Sequence, residues 1–182
     1  MTDLNISESW LSCIDNHEYF FENAPNDVFC KKCGCVIDDS YIPNSFRIKN
    51  RADFSSTYDG RLIASAKFKE YVDGLNFQVE FTHLNQNKTL FLMKPKHIIE
   101  YDAAQKENYC EVCGQYHDQV APIPIFYYKD KKTIKTGIYR TSMKFGSGVE
   151  KNFSIVLGAE TGILLQEDAK RLKFRGLVIH PI

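Results

Sequence analysis

The chain has 182 residues, 43% of them apolar, 25% charged and 13% aromatic, with 23 basic and 23 acidic side chains that balance to a formal net charge of zero. This is a globular composition, long enough to bury roughly 70% of the unfolded surface, and it excludes a disordered, collagenous or coiled-coil chain. No apolar run approaches the ~20 residues of a membrane-spanning helix, and residues 1–9 are polar and acidic where a secretion signal needs basic then apolar residues, so a cytoplasmic protein is expected.

Residues 1–30 hold Asp3, Glu8, Asp15, Glu18, Glu22 and Asp27 and no Lys or Arg. The spacing of Trp10, Ile14, His17 and Phe21 predicts a helix over residues 7–23, with Ser7 as N-cap and Pro25 as the stop, so residues 1–27 read as an acidic, helical N-terminal segment. Summed negative charge steers basic partners, which makes Asp15, Glu18, Glu22 and Asp27 candidate contacts; the alternative is a solvated face neutralised by cations elsewhere. Val28-Phe29 and Val36-Ile37 flank the first cysteine pair as hairpin arms. Leu62-Ile63-Ala64 is a short strand, after which Ser65 caps a helix with Phe68, Tyr71 and Val72 inward, ended by Gly74. Phe77, Val79 and Phe81 alternate with polar residues as a half-buried strand, and residues 85–87 turn into a partner strand, 89–93, stopped by Pro95.

A polar stretch, 102–108, leads to the second cysteine pair, and residues 123–128 and 133–139 read as a hairpin around 129–132. Residues 155–159 then form an apolar strand, Leu165, Ala169 and Leu172 mark one face of a helix, and 177–182 a last strand. Each cysteine pair is thus followed by a strand–helix–strand unit. The expected fold is α+β: a single domain over 28–182, with pseudo-repeats 28–100 and 101–182 pinned by a zinc-ribbon-like site.

That site rests on a repeated motif. Cys30-Lys31-Lys32-Cys33-Gly34 and Cys110-Glu111-Val112-Cys113-Gly114 are both Cys-x-x-Cys-Gly. Two residues between cysteines let a tight turn aim both sulfurs at one ion, and the following Gly takes the positive φ that closes the turn. Cys30, Cys33, Cys110 and Cys113 are therefore the candidate ligands of a structural Zn2+. The 76 residues between Cys33 and Cys110 are no obstacle. Closing such a loop costs roughly 4 kcal/mol, whereas a structural zinc contributes on the order of 10–16 kcal/mol. Disulfides within each pair would close tiny loops and constrain little, and a thioredoxin-like redox pair needs only one copy, opening a helix. Cys35 and His117 are alternative ligands, and read otherwise as a small core residue and part of a polar turn. Cys13 reads as a buried hydrophobe.

No catalytic constellation is present: the sequence lacks Gly-x-Ser-x-Gly, a phosphate-binding Gly-rich loop and His-Glu-x-x-His. Four thiolates would also close a zinc site to substrate. A non-enzymatic protein is expected.

The doubled Cys-x-x-Cys-Gly, residues 61–69, residues 139–148 ending in Phe145-Gly146-Ser147-Gly148, residues 155–159 and the closing run 174–182 together resemble the bacterial double-CxxCG-motif family. The similarity spans residues 28–182. It implies an immunity protein of a polymorphic toxin system, binding and blocking a cognate protein toxin in the cytoplasm, with the four cysteines as scaffold. The competing expectation is a zinc-ribbon nucleic-acid-binding module using Lys129, Lys131, Lys132 and Lys135 around the stacking rings of Tyr127 and Tyr128. A sequence pI near 6.9 argues against it.

Overall fold

The computed structural model describes residues 8–49, 51–122 and 134–181. Its first strand, β1 (Ser9–Asp15), lies where the helical spacing stood. Trp10 and Ile14 are four residues apart, a spacing that suits a strand face as well as a helix face. What decides is neighbours. β1 pairs antiparallel with β10 (Asn152–Leu157) and with β11 (Leu177–Pro181), and its last residues run parallel to β2 (Phe54–Ser56). Ser9, Leu11 and Cys13 turn inward, while the Trp10 ring lies 5.1 Å from that of His180 on the other side. The helix expected over 7–23 is therefore replaced, within the described residues, by a strand and a turn.

β3 (Leu62–Ser65) leads into helix α1 (Ala66–Gly74), whose first turn is fixed by the Ser65 hydroxyl accepting from the Phe68 N–H at 3.1 Å. β4 (Val79–His83), β5 (Leu90–Pro95) and β6 (His97–Ile99) follow, then the hairpin of β7 (Gln105–Cys110) and β8 (Gln115–Val120). β9 (Ile138–Ser147) turns into β10, and helix α2 (Ala159–Arg171) precedes β11. Among the described residues the strands form one 11-stranded mixed sheet along the path β4-β5-β3-β2-β1-β10-β9-β8-β7, with β11 on β1 and β6 parallel to β9.

This overturns the α+β reading. The molecule is mostly one large mixed sheet carrying two α-helices among the described residues, not two strand–helix–strand units. Local pattern gives an element its type but not its neighbours. β3 and β4 do not pair with each other; both lie against β5. β10 and β11 likewise flank β1, from the far end of the chain. His117, read as part of a polar turn, sits in β8.

Alternation along the strands builds two main apolar cores, and a smaller one of Ile99, Tyr101 and Val156, among the described residues. Ala64 joins Leu11, Phe54, Phe68, Val72, Ile155, Leu157 and Leu165 in the larger, to which both helices contribute. The helices also meet directly, through Tyr71 Oη donating to Asp168 Oδ2 at 2.9 Å. Phe68 is fully buried, which stabilises the fold by about 2–3 kcal/mol. Ile63 points the other way, into a second core with Phe20, Phe21, Val28, Val36, Phe46 and Leu84. Val28 and Val36 are the arms of the first cysteine knuckle, so this core seats that knuckle on the sheet.

Candidate metal centre

Each knuckle is the tip of a hairpin. In the first, Phe29 bridges Val36, the Cys30 N–H donates to the Cys35 carbonyl at 2.8 Å, and the Gly34 N–H donates to the Cys30 carbonyl at 2.8 Å. The second repeats this at the β7–β8 turn, with the Gly114 N–H on the Cys110 carbonyl at 2.8 Å. Gly34 and Gly114 have φ of +75° and +70°, the left-handed geometry that closing the turn requires.

The fold brings both tips together. Cys30, Cys33, Cys110 and Cys113 place their sulfurs all within 4.8 Å of one another, with Cys30 Sγ 3.8 Å from Cys110 Sγ and Cys33 Sγ 3.5 Å from Cys113 Sγ. Four sulfurs tetrahedral about an ion at a metal–sulfur distance near 2.3 Å would be separated by about 3.8 Å. The donor set and spacing fit a metal ion. Backbone geometry prepares it: N–H groups of Cys33 and then Lys32 point at Cys30 Sγ and draw its thiol down to about 6. The N–H of Cys113 lowers Cys110 in the same way, whereas burial raises Cys33 and Cys113. A metal ion bound there would supply the positive charge that lets all four ionise together.

Cys35 and His117 stand outside this group of four. Cys35 is fully buried, and His117 Nδ1 lies 3.0 Å from Asp118 Oδ1. One member of the centre escaped the sequence reading. Gln115, directly after Gly114, donates its Nε2 to the Val36 carbonyl at 3.0 Å and so ties the second knuckle to the first without the ion. A polar residue after a Cys-x-x-Cys-Gly carries no signal of such a reach.

Comparison of the chain with protein-family models, with curated proteins and with solved structures finds no match.

The acidic residues singled out in the sequence are spread along one stretch. Asp15 ends β1, Glu18 follows in a loop where Lys49 Nζ approaches it to 3.4 Å, and Glu22 and Asp27 are exposed beyond it. The loop is held firmly. Buried Asn16 donates to Ser55 Oγ at 3.1 Å, and the carboxylate of buried Asp59 accepts the N–H groups of Phe20 and Phe21 at 2.9 and 2.8 Å. On its outer side stand His17, expected on the inner face of a helix, and two tyrosine rings that no sequence motif singles out. His17, at φ +63°, places Nδ1 2.7 Å from Tyr58 Oη, and the Tyr19 ring lies 5.1 Å from that of Tyr58. Tyr19 is 55% and Tyr58 42% exposed. Of the basic hairpin, Lys135 is exposed, while Tyr127, Tyr128, Lys129, Lys131 and Lys132 lie outside the described residues. No helix among the described residues is long and apolar enough to cross a membrane.

Proposed function

We propose that Cys30, Cys33, Cys110 and Cys113 hold one structural zinc ion, and that the protein is an immunity protein that neutralises a cognate bacterial toxin by covering part of its surface. Four thiolates in a closed tetrahedron are a soft donor set that favours zinc, and leave no position open for substrate. The resemblance of residues 28–182 to the double-CxxCG-motif proteins supports the immunity role.

The observation that carries the binding role is the pinned loop with its exposed rings. Tyrosine supplies large contact area for little conformational entropy, and a surface already rigid before contact loses less on binding. Glu18, Tyr19 and Glu22 line one cavity of about 320 Å3 with Arg47, so two carboxylates sit beside the Tyr19 ring. That combination suits a partner presenting Lys or Arg.

Two measurements test the two halves of this reading. Elemental analysis of freshly purified protein should find one zinc per chain, and well under one equivalent overturns the metal assignment. Expression beside the toxin encoded next to it should restore growth and yield a complex on gel filtration. Tyr58→Ala and Glu22→Lys should each weaken that complex at least tenfold, about 1.4 kcal/mol, with zinc content unchanged. A toxin that stays free and lethal removes the immunity role.

A further inference from the structure

Next to Gln115 of the second knuckle, three cationic side chains are withdrawn from solvent, two of them against one carboxylate. Asp39 Oδ1 lies 2.5 Å from Lys144 Nζ and 3.4 Å from Arg61 Nη2, and the side chains of Lys144 and Arg61 are only 15% and 10% exposed. Lys151, 4% exposed, has no carboxylate within ion-pair distance among the described residues. Its ammonium donates to neutral oxygens, Gln115 Oε1 at 3.2 Å and the Tyr116 carbonyl. Asp59 is the next carboxylate to Arg61, and both of its oxygens are engaged by the backbone of Phe20 and Phe21. Lys144 and Arg61 therefore share Asp39, with Asp59 at longer range from Arg61, and Lys151 rests on neutral oxygens. One positive charge is left in excess where burial makes it costly.

A cavity of about 520 Å3 opens onto this group, with Asp39, Lys144, Lys151, Ser142, Gln119 and Phe153 in its wall. The same wall holds the Asp102–Lys106 pair, at 2.5 Å, and the exposed Glu100. Lys144 and Lys151 offer two cations to a small anion, while the carboxylates of the same wall repel a long polyanion.

We propose that this cavity binds a single tetrahedral oxyanion, a phosphate group, held by Lys144 and Lys151 with Arg61 behind them. The Asp39 carboxylate, 45% exposed on its side chain, occupies the position the anion takes and swings outward to admit it. Burial, and in smaller part the like charges of Arg61 and Lys151, lower the Lys144 pKa against the pull of Asp39. Lys and Arg are the residues that recognise phosphate, Lys as a point charge and Arg through its planar fork. The group has two sources, a free ion or a monoester on another molecule, and both present the same oxygens.

The test is thermal unfolding of the zinc-loaded protein at constant ionic strength in chloride, inorganic phosphate, O-phosphoserine and a single-stranded oligonucleotide. Inorganic phosphate should raise the midpoint saturably above that in chloride, and the oligonucleotide should not. Asp39→Asn, which removes the internal competitor, should bind phosphate at least tenfold more tightly, and Lys144→Gln should abolish the shift. Each variant is compared with itself in chloride, so a change in its basal stability does not enter. An equal shift by O-phosphoserine assigns the site to a phosphorylated molecule, and a shift by inorganic phosphate alone assigns it to the free ion. No shift in either the wild type or Asp39→Asn, or an undiminished shift in Lys144→Gln, overturns the proposal.

Discussion

At the scale of single residues, two glycines separate two kinds of constraint. Gly34 closes the first knuckle at φ +75°, and an added Cβ would meet nothing within 4 Å. Only backbone strain opposes a side chain there, roughly 1–2 kcal/mol. Gly176, at φ +94°, is different, because its Cβ would lie 2.1 Å from the Phe54 carbonyl and 3.1 Å from Ile14 Cγ1. We therefore expect Gly34→Ala to fold with a modestly lowered midpoint, and Gly176→Ala to lose several kcal/mol or fail to fold. Chemical denaturation of the two variants gives the comparison, and equal losses would contradict the geometry. Legibility divides along similar lines. The four cysteines could be read as one site because the motif carries its turn glycine with it. Tyr19 and Tyr58 could not be joined, since 38 residues separate them and only the pinned loop makes their rings neighbours.

Elements were readable where packing and propensity agree. Ser65, Phe68 and Val72 state a capped amphipathic helix locally, and α1 stands where they place it. β8 was opaque for the opposite reason: Gln115, His117, Asp118 and Gln119 look like loop residues, and they are strand residues because each polar group has a partner. Asp118 shows this best. Ser147 in β9 and Asn108 in β7 both donate to its carboxylate, with His117 beside it, and together they hold its pKa down at about 2. One side chain thus clasps three strands. Because the folded value lies below the ordinary one near 4, the stability Asp118 contributes is complete above pH 4 and disappears as pH falls through 2. The wild type should exceed Asp118→Asn in urea midpoint at neutral pH, and the two should converge between pH 4 and pH 2. A gap that persists at pH 2 would show that the clasp does not act through the charge.

For the whole molecule, β1 is the strand on which everything converges. It pairs with β10, β11 and β2, and Ser9 stands opposite both Leu157 and Pro181. This long-range pairing is what local pattern could not disclose, and it is why two apparent halves merge into one sheet. Removing residues 177–182 should then do more than fray a terminus. It would strip one edge of β1, lose the Trp10–His180 contact and uncover Leu11 and Cys13. We expect such a chain to lose its cooperative thermal transition, as followed by circular dichroism, while a full-length His180→Ala keeps it.

The position of β1 also sets a timetable. A ribosome releases β1 well before its partners β10 and β11, so for most of synthesis β1 has only the short β2 to pair with. Both cysteine knuckles have emerged well before then, and an ion caught between them would fasten residues 30–113 into a half-built body. On this schedule a bound metal would act first as a clamp during birth, before β11 arrives.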